Sequence, residues 1–117
     1  MALKSELMAS SLPASAASKL GFDAPATAVA QAGSGQSTAT ALVSNFSIVT
    51  SGTGGVIITE LRSPTVVINT SGASCNVYPP VGSSINGLSA NTAFAVGNNK
   101  QAYFEPAGTN FVGILSA

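Results

Sequence analysis

The chain has 117 residues, 45% of them hydrophobic and 7% charged, and its four basic and four acidic side chains cancel to a net charge of zero. It has no His, no Trp and a single Cys, Cys75, so His-assisted nucleophiles, Cys/His zinc sites and an internal disulfide are all excluded. Lys4, Lys19, Arg62 and Lys100 form no cluster, which argues against nucleic acid or a membrane surface as partner.

The N-terminal segment reads apart from the rest. Leu3, Leu7 and Met8 recur at helical spacing. A second short helix has Ser10 or Ser11 as cap, Pro13 in its first turn and Gly21 beyond its end, with Leu12, Ala16 and Leu20 on one face. Glu6 follows Lys4 and no continuous apolar run appears, so no signal peptide is expected. From Ala24 to Thr40 the chain is, apart from Pro25, Ala, Gly, Ser, Thr and Gln with no large apolar residue beyond Val29. Residues 1–40 are therefore expected to be an arm and an extended or flexible connector.

Residues 41–117 read as a β body. Strands are expected over 41–50, 56–58, 65–69, 75–78, a short 84–86, a hairpin of 92–96 with 101–105, and 111–115. Gly54-Gly55, Gly72, Pro79-Pro80 and Gly97-Asn98-Asn99 mark the turns between them. Short strands with regular turn signals predict a mainly β fold, an antiparallel β-sandwich or jelly-roll-like barrel behind a short helical or extended N-terminal arm.

The expected inward set is Phe46, Ile48, Ile58, Val66, Ile68, Val77, Phe94, Val96, Phe104 and Leu115. The other faces carry Val43, Val67, Tyr78, Ala93, Ala95, Tyr103 and Ile114, less polar than a free monomer tolerates. Residues 24–59 and 63–99 hold no charge at all. A subunit that finishes its surface against other protein, most simply copies of itself, is the expectation.

No catalytic set assembles from what remains. No S-x-x-K motif is present, and nothing pairs Glu6, Asp23, Glu60 and Glu105. Gly33-Ser34-Gly35 and Gly52 to Gly55 lack the Lys and the strand–loop–helix context of a phosphate loop. The sequons at Asn45 and Asn69 fall within expected strands, and Cys75 reads as a small buried hydrophobe. Neither enzymatic activity nor a cofactor is expected. Glu60 and Arg62 flank Leu61 on one side of a strand, either as a solvated edge or as an ion pair across a subunit boundary. Tyr78 and Tyr103 are the candidates for a shallow glycan site.

Residues 65–96, TVVINTSGASCNVYPPVGSSINGLSANTAFAV, resemble a pattern found in small proteins encoded among the structural genes of tailed bacteriophages. The likeness is carried by Val67, Ile68 and Asn69, by Asn76 to Pro80, and by Gly82, Ile85, Asn86, Gly87 and Asn91. Leu12-Pro13 near the front, and Phe104, Phe111 and Ile114-Leu115 at the end, extend it over most of the chain. The resemblance implies a virion component made in the host cytoplasm. In a protein this small it implies decoration, or cement, on the outer surface of the head, typically as a homotrimer against the major capsid protein. Leu3, Leu7, Met8, Leu12, Leu20, Tyr78, Tyr103, Glu60 and Arg62 are the expected capsid or oligomer contacts. The alternative is an adhesion module on head or tail that binds host-surface glycan.

Overall fold

The computed structural model describes residues 26–59 and 63–116. Its strands are β1 (Thr27–Gln31), β2 (Thr40–Ala41), β3 (Phe46–Gly52), β4 (Gly54–Ile57), β5 (Thr65–Asn69), β6 (Cys75–Tyr78), β7 (Phe94–Val96), β8 (Lys100–Ala107) and β9 (Asn110–Leu115). One sheet runs β1-β3-β5-β8-β9 and the other β2-β4-β6-β7. The fold is mainly β, and the two sheets pack in the manner of a sandwich.

Strand direction departs from the antiparallel expectation. β1, β3 and β5 are parallel, as are β2, β4 and β6. Only β5-β8-β9 and β6-β7 are antiparallel. The chain alternates between sheets from β1 to β6, so each coil lays one strand in each layer, as in a solenoid. Thr27 lies beside Ser47 and Ser47 beside Val67, a step of 20 residues per coil. Such a coil joins parallel neighbours through a strand in the opposite sheet, doing the work of the usual crossover helix.

The stretch expected to be a connector is part of this winding. β1 adds to the edge of β3, and Ala32 exchanges two backbone hydrogen bonds with Gly55, each 3.1 Å. Small side chains with few apolar atoms still form a strand where a neighbouring ladder satisfies the backbone. Between β3 and β4 the chain changes sheet within three residues. Gly54 makes this possible: its φ is +116°, and a Cβ there would collide with the Gly33 carbonyl oxygen.

Leu42, Val49, Val56, Ile58, Val67, Cys75, Val77, Ile85, Val96, Ala102, Phe104 and Phe111 fill the space between the sheets, with Val29 and Phe94 packed against them. Ile58, Val77, Val96, Phe94 and Phe104 are thus where their sequence placed them. Phe46, Ile48, Val66 and Ile68 are not: β3 and β5 turn Ser47, Val49, Thr65, Val67 and Asn69 inward instead. Leu115, also expected inside, remains 40% exposed. Both faces of β3 and β5 carry branched apolar residues, so alternation alone does not choose between them, and a shift of one residue exchanges the faces. Ser47 Oγ donates to the Ser44 carbonyl at 3.3 Å. Asn69 Nδ2 donates to the carbonyls of Ala73 (2.7 Å) and Val96 (2.9 Å), and its Oδ1 accepts from Ser71 N and Oγ.

The expected hairpin of 92–96 with 101–105 is also redistributed. β7 pairs with β6 and β8 with β5, so the Gly97–Asn99 turn carries the chain from one sheet to the other. The 84–86 strand reduces to one bridge, Ile85 to Phe111.

Candidate functional site

The alternation that buries Val67, Ala102 and Phe104 presents their neighbours on the outer face of the five-stranded sheet. In register there, Phe46 lies beside Val66, Val66 beside Tyr103 and Tyr103 beside Ile114. A second row joins Ala28, Ile48, Ile68 and Gln101. A groove of about 480 Å³ opens on this face, bounded chiefly by Phe46, Val66, Ile68, Tyr103, Ile114 and Leu115. Ile114 is 63% exposed and Val112, further along the edge strand β9, 47%.

Charge is nearly absent around it. Among the described residues only Lys100 and Glu105 are formally charged. Glu105 accepts a 2.6 Å hydrogen bond from the Tyr103 hydroxyl. Burial, that hydrogen bond and the carboxylate's charge together push the phenol up to about 12, so Tyr103 stays neutral and donates through the physiological range. The groove can therefore hold apolar protein surface, with one oriented polar pair at its rim.

Tyr78 sits on the outer face of the opposite sheet, since Cys75 and Val77 of the same strand point into the core. The two tyrosines do not share a site. Leu3, Leu7, Met8, Leu12, Leu20, Glu60 and Arg62 lie outside the described residues. Tyr103 and Ile114 belong to the apolar second face the sequence analysis singled out. Phe46, Val66 and Ile68 complete the groove and were expected in the core.

The loop between β6 and β7 forms the other organised surface. Gly82 N donates to Asn91 Oδ1 (2.7 Å), and Gln36 Nε2 reaches both Asn91 Oδ1 (3.1 Å) and the Pro79 carbonyl (2.8 Å). Asn86, at φ +54°, exchanges two hydrogen bonds with the Gly113 backbone. These side chains satisfy loop backbone groups and leave Val81 78% exposed. A smaller cleft of about 190 Å³ lies against Leu42, Ser44, Ile58, Thr59 and Thr65.

Cys75 is fully buried, and burial raises its thiol to about 11. The thiolate is the reactive form, so alkylation of the folded protein is expected to be negligible at pH 8 and complete within minutes in denaturant. Because the folded pKa lies above the ordinary value of 9.0, the neutral thiol favours the folded state. Its contribution, on the order of 2 kcal/mol, is whole below pH 9 and disappears as pH rises through 11. Denaturation curves of the wild type and Cys75→Ala across that window check it: the wild type loses the greater stability. No family model, curated protein or solved structure matches the chain.

Proposed function

We propose that the protein is a structural subunit of a bacteriophage virion that decorates the outer surface of the head, held there by contacts with the major capsid protein and with copies of itself. The observation that carries the protein-binding part of this reading is the apolar and nearly uncharged outer face of the five-stranded sheet. Small domains normally cover such a face with charged side chains, about a quarter or more of the surface. Here the described body holds two. Buried apolar area stabilises a contact by about 25 cal/mol per Å² before association costs, and many copies on one shell act together. The resemblance of residues 65–96 to small phage structural proteins supports the choice of a capsid as the surface.

Quantitative gels and particle imaging of purified virions test this. Copies comparable to the major capsid protein, spread over the head, are expected, and particles lacking the protein should release DNA at lower temperature. A few copies confined to the tail or one vertex would replace decoration with adhesion. Absence from the particle would end the virion reading.

A further inference from the structure

We propose that the groove on the five-stranded sheet receives the N-terminal segment of a second copy of this chain, so that subunits are joined by exchanged arms. The inference rests on the reading of this face as a protein-docking surface and names its occupant.

The first argument is position. β1 is parallel to β3 with Thr27 beside Ser47, so the chain enters the sheet next to Phe46, at the border of the groove. The first 25 residues lead into the body at that corner and lie outside the described residues.

The second argument is composition. Leu3, Leu7, Met8, Leu12 and Leu20 give this segment the large apolar side chains a groove of Phe, Val, Ile and Leu accepts. Lys4, Glu6, Lys19 and Asp23 are half of all the charges in the chain. A face covered by this segment acquires the charged exterior that the sheet itself lacks. Two bare sheets meeting face to face would bury the groove but leave the segment's own leucines in water.

The third argument selects a neighbour over the segment's own body. Pro25 directly precedes the described residues and disfavours helical backbone at Ala24. An arm that continued along the line of β1 would lead away from the groove it borders and toward a neighbouring subunit. The six residues from Gly21 to Ala26 reach about 20 Å when extended, the scale of one neighbouring subunit. An arm placed in the next subunit's groove is a heterologous contact, which closes into a ring when the rotation permits.

The test uses the full-length protein and two variants: Leu7→Asp/Leu12→Asp in the arm and Ile114→Asp in the groove. Ile114 is 63% exposed on an edge strand, so its change leaves the core intact, and circular dichroism verifies both variants. Light scattering after gel filtration is expected to show an oligomer for the wild type and a single chain of 11.5 kDa for each variant. Mixing the variants should restore a complex, because one contributes an intact arm and the other an intact groove. Three results overturn the proposal. An arm variant that stays oligomeric while the groove variant dissociates would mean that sheets pair face to face. Monomeric wild type in which hydrogen exchange of residues 1–20 is protected, and protection is lost in Ile114→Asp, would mean that each chain covers itself. Failure of folded variants to recombine would remove exchange altogether. These outcomes are read in solution and are independent of whether virions contain the protein.

Discussion

Phe104→Ala is expected to lower the melting temperature by about 15–30 °C. Phe104 is completely buried on β8 of the five-stranded sheet, and its ring meets Phe94 of β7 in the other sheet edge to face, 5.3 Å between centroids. The pair therefore ties the two layers together. Its other side rests on Gly113, where an added Cβ would lie 3.1 Å from the ring, and on Ile85 nearby. Truncation removes the ring and leaves a void between the two sheets. Large-to-small changes of this kind cost about 3–5 kcal/mol, a large part of the roughly 5–15 kcal/mol that holds a domain folded. At about 4–8 °C per kcal/mol for a body of this size, thermal unfolding followed by circular dichroism reads the effect directly. Ile114→Ala, on the exposed edge, should shift the transition by no more than a few degrees. Equal shifts for the two would mean that the sheets are not held together at Phe104.

Asn69→Asp is the second large effect, and it carries a pH signature. The side chain of Asn69 is completely buried. Its amide nitrogen donates to two carbonyls, those of Ala73 and Val96. Through Ser71 the network extends to Gln31 Nε2, 2.8 Å from Ser71 Oγ. A carboxylate has the same shape but no donor, so it would set negative oxygen against two carbonyl oxygens in a site closed to solvent. The expected loss at neutral pH is about 3 kcal/mol or more. The introduced carboxyl has a folded pKa raised above its ordinary value of about 3.9. A raised folded pKa gives the variant its greatest relative stability below the ordinary value, and that stability is lost as pH rises through the folded one. Urea denaturation of variant and wild type at pH 3.5 and pH 7 should show the gap narrowing at the lower pH. A gap of the same size at both would assign the loss to geometry instead of charge.

These two residues show how differently the sequence spoke about the core. Phe104 and Val77 are large or branched apolar residues between neighbours that carry polar groups, and their inward orientation followed from alternation. Asn69 gave no such sign. A polar side chain at the end of a strand is ordinarily solvated, and the carbonyls of Ala73 and Val96 together with the Ser71 amide and hydroxyl make burial favourable. The groove was half legible for a related reason. An apolar second face containing Tyr103 and Ile114 was visible, but Phe46, Val66 and Ile68 looked like core.

What the amino-acid sequence by itself determined is local. Glycines and prolines punctuate the chain where strands end, β5, β6 and β7 occupy runs of branched and aromatic residues, and the lack of charge is a property of composition. Sheet membership was decided by tertiary structure. Ser47 and Val67 pair with partners 20 residues away, and no short-range pattern states which of two layers a strand will join. The Gly97–Asn99 turn illustrates the reason. As sequence it closes a hairpin, yet Asn99 N donates to the Asn69 carbonyl at 2.7 Å and starts β8 beside β5. A turn sets the direction of the next few residues, whereas the strand that follows goes where a long-range ladder and a buried face are both available.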